Sequence, residues 1–244
     1  MRNRSLVTLA TIAVAIVLGS GMALADTNAD LNITGGYNPG IVITGGGVGG
    51  TYGGGIFTGG YLGGTMLPWI YCVDIPDEVG VPGNYPDNTF NNNGTIAGST
   101  NNYNHGGLTG NPSPQGTQEG VTNAIYVAWL LHTFAAGATT YDLQVGLQGA
   151  IWSQIYNGAK LAGCNDGSGC VTDYNNDIAA LNAAIAAGNL PNYVGNFDWL
   201  SPNGSSSNVD QGLITQLVPD SGMTLMLLGG TLVGLGTLRR KFRV

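Results

Sequence analysis

The sequence predicts an α+β fold, with a β-rich sandwich or barrel body packed against a small helical part. The first half of the chain is rich in glycine and asparagine and carries short β-prone segments, which is typical of strands joined by tight turns. The second half carries segments with apolar residues at helical spacing. Charged residues make up only 9% of the chain, a composition that favours an extracellular protein with many turns.

The N-terminal segment is predicted to be a secretory signal peptide spanning residues 1–25. Arg2 and Arg4 give it a positive start, and an apolar run follows from Leu6 to Leu18. Small residues then precede a cleavage site after Ala25. A permanent membrane anchor is the alternative, but the apolar run is short for a bilayer span.

The C-terminal segment, 218–244, has the three-part layout of a sorting signal. An uncharged run of 16 residues, Met223–Leu238, precedes a basic tail that should stay in the cytoplasm. This layout resembles the PEP-CTERM class of bacterial sorting signals over its 27 residues. The resemblance implies processing by an exosortase-type membrane enzyme, with membrane contact only through this helix before processing; a single-pass anchor is the alternative. The motif that carries the resemblance is Val218, Pro219, Asp220, Ser221 and Gly222.

The middle of the chain, 26–217, is predicted to be one extracellular domain with an acidic surface. Of the 7 lysines and arginines in the sequence, only Lys160 lies outside the two end segments, while all 14 acidic residues lie in or beside this domain. Such a surface excludes charge-driven binding of nucleic acid or of an anionic membrane. We therefore expect an exported protein of the cell surface or the extracellular matrix.

Short strands are predicted through the glycine-rich stretch 35–64 and just beyond it. Half of this stretch is glycine, which suits turns that need positive φ. A phosphate-binding loop is a poor alternative, because the chain has no G-x-x-x-x-G-K-[ST] string and no predicted helix follows the stretch. Residues 77–118 are polar and predict long loops with a strand pair. The predicted strands are Ile41–Thr44, Ile56–Thr58, Leu67–Asp74 and two closing strands at 193–200 and 212–218.

Three helices are predicted in the second half. Thr122 is expected to cap the first, which runs to about Phe134. A capping box at Thr139–Asp142 starts the second, which runs to about Tyr156. Thr172 is expected to cap the third. The predicted inward residues are Leu143, Leu147, Ile151 and Ile155 in the second helix, and Ile178, Leu181 and Ile185 in the third.

The three cysteines divide into a pair and a single residue. Cys164 and Cys170 flank a short glycine-containing loop, so in an exported chain they predict a disulfide. A calcium loop built from Asp166 and Asp173 is the alternative there, but too few oxygen ligands fall at useful spacing. The third cysteine, Cys72, is an odd thiol in an exported protein.

Cys72 has two readings from the residues alone. It packs as a small buried hydrophobe, or it serves as a nucleophile paired with His105 or His132. Gln148 raises a related question, because it lies on or near an apolar helix face. A buried amide costs free energy unless its donors and acceptors are paired.

Cys72 and Gln148 each stand in a recognisable motif. The first is an aromatic-Cys-x-Asp strand, found here as Tyr71-Cys72-Val73-Asp74, and the second is a helix with a T-Q-x-A-[IV]-W-like string, found here as 147–152. Together the two motifs resemble the thioester domains of bacterial surface proteins, and the similarity covers roughly 52–158. Leu147 stands where the family often has threonine.

The resemblance implies an internal thioester between the sulfur of Cys72 and the side-chain acyl group of Gln148. It also implies a pocket around that bond formed by Tyr71, Asp74, Ala150 and Trp152. The function it implies is adhesion by covalent capture of an amine or hydroxyl on an extracellular partner, without turnover, cofactor or metal. The alternative is a non-covalent structural protein of the envelope or exopolysaccharide matrix, and a third reading is a cysteine-dependent hydrolase.

Overall fold

The structure is a computed structural model that describes residues 27–57, 59–97, 118–165, 169–188, 190–203 and 210–217. The predicted signal peptide (1–25) and sorting signal (218–244) lie outside the described residues, as do His105 and Asp166. Within the described ranges, no helix is long and apolar enough to cross a membrane.

The protein has an α+β fold, as the sequence predicts, with short strands in the first half and helices in the second. The helices are α1 (Ala124–Phe134), α2 (Tyr141–Ile155) and α3 (Gly169–Ala186). The strands are β1 (Thr27–Asn28), β2 (Leu31–Ile33), β3 (Asn38–Thr44), β4 (Gly50–Gly54), β5 (Gly60–Leu62), β6 (Thr65–Met66), β7 (Ile70–Cys72), β8 (Gly83–Tyr85), β9 (Thr89–Asn91), β10 (Thr95–Ala97), β11 (Gln118–Gly120), β12 (Lys160–Gly163), β13 (Phe197–Ser201) and β14 (Leu213–Gln216).

The strands form four antiparallel sheets. The largest has five strands in the order β1-β9-β13-β14-β7, so that strands from both ends of the domain meet in it. A four-stranded sheet has the order β6-β5-β2-β8, and a three-stranded sheet has the order β12-β3-β4. Strands β10 and β11 form a separate pair. Because β14 closes against β7, the strand carrying Cys72 lies at the edge of the largest sheet.

Helix α2 forms where the four-residue spacing of apolar residues predicts a helix. The Thr140 side chain caps it by accepting a hydrogen bond from the backbone N–H of Leu143 at 3.4 Å. Leu147, Ile151 and Ile155 are buried, as their four-residue steps predict. Leu143 is 36% exposed instead, because it lies in the first turn beyond the packed face.

The predicted starts of the other two helices were wrong. Helix α1 begins after Asn123, which has a φ of 54°, and not at a Thr122 cap. Helix α3 begins at Gly169, so Thr172 lies inside it. Its buried face includes Leu181 as predicted, together with Cys170, Tyr174 and Asp177, while Ile185 is 38% exposed.

The strand predicted at Ile56–Thr58 does not form among its described residues. Gly55 precedes it with a φ of 78°, a left-handed conformation that interrupts an extended strand. The chain therefore turns between β4 and β5. Phe57 still contacts the edge of the largest sheet, since its N–H donates to the carbonyl of Ile70 at 3.1 Å.

Candidate functional site

Cys72 ends the edge strand β7, and its backbone is free of strand pairing on one side. In the register of β7 with β14, Cys72 lies opposite Leu213, and the N–H of the next residue, Val73, donates to the carbonyl of Gly212 at 2.9 Å. Alternate residues of a strand direct their N–H and C=O to opposite sides. The polar backbone groups of Cys72 therefore point away from β14, toward helix α2.

Gln148 satisfies those backbone groups with its side chain. Its Oε1 accepts from the backbone N–H of Cys72 at 3.0 Å, and its Nε2 donates to the carbonyl oxygen of Cys72 at 2.7 Å. The same Oε1 accepts a second hydrogen bond, from the N–H of Gly55 at 3.2 Å. The carboxamide is fully buried and pairs with Cys72 as a neighbouring strand would. This explains physically how an amide is tolerated on the apolar face of α2.

The sulfur of Cys72 contacts a different glutamine. Its Sγ donates to Oε1 of Gln211 at 3.1 Å, and the Nε2 of Gln211 donates to the backbone carbonyl of Asp74. Gln211 is 7% exposed and lies just before β14, which brings it beside Cys72 through the β7–β14 pairing. Two buried glutamine side chains therefore meet Cys72, one at its backbone and one at its sulfur.

The four predicted pocket residues are all buried, but they lie in different places. Trp152 packs beside Gln148, since a Cβ added at Gly54 would lie 2.9 Å from Trp152 Cη2 and 3.1 Å from Gln148 Cγ. Ala150 lies on the other side of the helix from Gln148, because two residues turn a helix by roughly 200°. The other two residues belong to the strand segment.

Tyr71 and Asp74 flank Cys72 differently. Successive side chains of a strand point to opposite faces, so Tyr71 points away from the sulfur and packs edge-on against Trp69, with ring centroids 5.7 Å apart. Asp74 lies just beyond the end of β7 and is buried. Its Oδ1 accepts a hydrogen bond from the hydroxyl of Tyr156 at 2.9 Å.

The surroundings of the sulfur keep it protonated. Burial raises the pKa of the Cys72 thiol well above its ordinary value, and the negative charge of Asp74 raises it further. Burial and the same carboxylate also raise the pKa of Tyr156. Since the thiolate is the nucleophilic form, attack by this sulfur requires a group that accepts its proton.

The predicted disulfide between Cys164 and Cys170 is present, with Cα atoms 6.5 Å apart. Cys72 is the free cysteine, as predicted. One group of possible metal ligands occurs within the described ranges, Asp142 with the two paired cysteines. Because both sulfurs are joined in the disulfide, this group offers a metal only one carboxylate. Asp173 lies on α3 and its predicted calcium partner, Asp166, lies outside the described residues.

His132, the histidine among the described residues, makes its ring contact with Tyr193 and not with the thiol of Cys72. His132 is exposed on α1, and its ring stacks on that of Tyr193 with centroids 3.7 Å apart. Cys72 is completely buried and donates to a glutamine instead. The other histidine considered from sequence, His105, lies outside the described residues.

Sequence reasoning found Cys72 and Gln148 but missed Gln211. Gln148 stands in a helical pattern with a recognisable string, whereas Gln211 stands in a short segment without periodicity. Only the pairing of β14 with β7 brings it to the sulfur, and that pairing joins residues more than 130 positions apart. No local sequence pattern predicts the contact between Gln211 and the sulfur of Cys72. Comparisons with protein-family models, curated proteins and solved structures give no match to this chain.

Proposed function

We propose that this protein is an exported bacterial surface or matrix protein that captures an extracellular partner covalently through an internal thioester on Cys72. The observation that carries the proposal is the contact between a fully buried thiol and a glutamine carboxamide, 3.1 Å from Sγ to Oε1. Thioester formation joins the sulfur to the acyl carbon of such a side chain and releases ammonia. Close and fixed approach is the main requirement, because an amide is a poor electrophile.

The two glutamines suit different parts of this chemistry. The resemblance assigns the acyl group to Gln148, but both polar atoms of that carboxamide are bonded to the backbone of Cys72. Loss of its nitrogen would leave the Cys72 carbonyl without this donor. Gln211 places its carbonyl group against the sulfur itself. We therefore propose Gln211 as the acyl partner, with Gln148 fixing the strand that carries the thiol.

Burial would protect the product from water. Cys72 and Trp152 are completely buried, and Gln211 is nearly so. A water-poor site delays hydrolysis of a thioester. An amine or hydroxyl of a partner that reaches the carbonyl carbon would form an amide or ester bond and return the proton to the sulfur. Capture occurs once per molecule, so the protein is not an enzyme in the sense of turnover.

Export and sorting complete the proposal. The signal peptide at 1–25 would direct secretion, and the signal at 218–244 would be processed by an exosortase-type enzyme. The domain between them carries a strong negative charge and one lysine. We propose that it acts at the cell surface or in the matrix, against a protein or polysaccharide nucleophile.

Intact mass spectrometry of the mature protein tests the thioester. The wild type should be lighter than its sequence mass by one ammonia, and Cys72→Ala should not. Methylamine should free the thiol and leave the protein heavier than its sequence mass by one CH2 group, and peptide mapping should place the methylamide on Gln211. A methylamide on Gln148 would return the acyl role to that residue. A wild type of full sequence mass with an alkylatable Cys72 would contradict the thioester altogether.

A non-covalent structural protein is the second candidate, favoured by one observation. Gln148 makes two hydrogen bonds to the buried edge of β7 at Cys72 and a third to the N–H of Gly55, which accounts for its burial without any chemistry. Cys72 then packs as a small apolar residue. Full sequence mass of the mature wild type, with no change of mass after methylamine treatment, would favour this candidate.

A further inference from the structure

A thioester that forms inside this site must move one proton. The Cys72 sulfur bonds to the acyl carbon, the carbon–nitrogen bond of the glutamine breaks, and the thiol proton must end on the departing ammonia. Cys72 is completely buried and its thiol is held in the protonated form. A group close to both the sulfur and the leaving nitrogen is therefore required.

Asp74 is linked to both atoms through the hydrogen bonds of Gln211, whose Oε1 accepts from the Cys72 thiol. It follows Cys72 by two residues, just beyond the end of β7. Its backbone carbonyl accepts from Nε2 of Gln211, the nitrogen that leaves in the proposed reaction. Its carboxylate is the charged group that acts on the Cys72 thiol. Asp74 itself is only 3% exposed.

Tyr156 fixes the carboxylate in this position. Its hydroxyl donates to Oδ1 of Asp74 at 2.9 Å and accepts from the backbone N–H of Ile75 at 3.0 Å. With its oxygen bonded to the backbone, the hydroxyl directs its proton at the carboxylate. Tyr156 follows the last residue of α2 and is 1% exposed, so the ring has little freedom to move. The helix thus supports the strand segment at Gln148 and again at Tyr156.

We propose that the Asp74 carboxylate accepts the proton of the Cys72 thiol and delivers it to the nitrogen of Gln211 as the carbon–nitrogen bond breaks. Tyr156 is a positioning residue for that carboxylate. Atoms balance with no further reactant: the thiol and carboxamide give a thioester and ammonia. During capture the path runs in reverse, so Asp74 takes a proton from the incoming amine or hydroxyl and returns it to the sulfur. This inference rests on the proposed function.

The test uses the mature wild-type protein and measures the rate at which the thioester forms. Ammonia treatment returns the free thiol and the carboxamide, and transfer to ammonia-free buffer lets the bond form again, which intact mass spectrometry follows. Asp74→Asn keeps the size of the side chain and accepts from Tyr156 but cannot take the proton. We expect its rate to fall by about 10²-fold or more, and Asp74→Glu to recover part of the loss.

Tyr156→Phe provides an independent variant if Asp74→Asn folds poorly. It should slow formation by about tenfold, a smaller effect than loss of general acid–base catalysis because the carboxylate remains. The matched control is Tyr85→Phe, which removes a hydroxyl that donates to Gly80 at 2.7 Å in another sheet and should leave the rate unchanged. Circular dichroism confirms folding.

The outcomes separate the role of Asp74 from the existence of the thioester. A folded Asp74→Asn, or a folded Tyr156→Phe where the first variant does not fold, that forms the thioester at the wild-type rate would overturn the role of Asp74. A wild type that never loses ammonia would overturn the thioester itself, whatever the variants do. Slow formation in both variants with a normal rate in Tyr85→Phe supports the proton path.

Discussion

Gln148 hydrogen-bonds both backbone polar groups of Cys72 through one side-chain carboxamide. The edge of a sheet normally ends in unpaired N–H and C=O groups, which need partners when they are buried. Here a helix supplies the partner from a single side chain. The position of the thiol therefore depends on α2 as much as on the strand that carries it.

Removing that carboxamide should destabilise the domain. Gln148→Met keeps the length of the side chain but leaves the N–H groups of Cys72 and Gly55 and one carbonyl without this partner. We expect a loss of about 1–3 kcal/mol in the free energy of unfolding, measured by urea denaturation. The control is Gln144→Met, on the same helix but only half-buried, where the loss should be smaller. Equal stability of the wild type and Gln148→Met would show that the edge groups find other partners.

The sequence predicts the helix that carries Gln148 because its signals are local. A threonine cap and apolar residues at four-residue steps lie within one short segment, and Leu147 and Ile151 are buried as expected. The strands are predicted less well. Their order depends on pairings such as β7 with β14, which no local pattern specifies.

The residues of the candidate site also differ in how well local sequence predicts them. Cys72 and Gln148 are recognisable from their flanking residues, and the Cys164–Cys170 disulfide is predicted from spacing and from the expected export. Gln211 and Tyr156 carry no such signal, because their contacts with Cys72 and Asp74 join distant parts of the chain. Tertiary pairing, and not propensity, decides which of the buried amides reaches the sulfur.

The crossing of α2 and α3 depends on a glycine. A Cβ at Gly146 would lie 2.9 Å from both the Asp173 Cβ and the Tyr174 nitrogen, closer than packed atoms allow. Gly146→Ala should therefore separate the helices and lower the free energy of unfolding by about 1–3 kcal/mol, measured by urea denaturation. In Gly137→Ala, the control, the added Cβ meets no heavy atom of the described residues within 4 Å and should cost nothing. Equal stability of the two variants would contradict this account.

The Cys164–Cys170 disulfide should contribute modestly to stability. It closes a loop with a sequence separation of 6, and short loops remove little entropy from the unfolded chain. We expect the double variant Cys164→Ser/Cys170→Ser to lose about 2 kcal/mol in the free energy of unfolding. Thermal unfolding of the double variant, with and without a reductant, measures this. With Cys72→Ser added to both proteins to exclude the proposed thioester, a reductant should affect only the protein that keeps the disulfide; an equal effect on both would mean that the reductant acts elsewhere.

Asp177 should make the stability of the domain fall as pH rises. It is 7% exposed on α3, and burial, with the charge of Asp173 adding to it, raises its pKa to about 7. The unfolded chain has an ordinary aspartate pKa of about 3.9. Between these values the folded state holds a proton that the unfolded state has released, so this contribution to stability is lost as pH increases from about 4 to about 7.

Asp177→Asn tests this dependence because asparagine does not ionise. At each pH we compare the unfolding temperature of Asp177→Asn with that of its parent. The variant should gain on the parent as the pH is raised from 4.5 to 8. A Cys72→Ser parent keeps thioester hydrolysis out of the measurement. Tyr71 interacts with Asp177 but does not titrate between pH 4 and pH 8. Burial raises the pKa of its hydroxyl, and the charge of Asp177 raises it further. Asp30→Asn makes the same charge change at an exposed position and should show no such difference. A pH-independent effect of Asp177→Asn would mean that the carboxyl remains ionised in the folded protein.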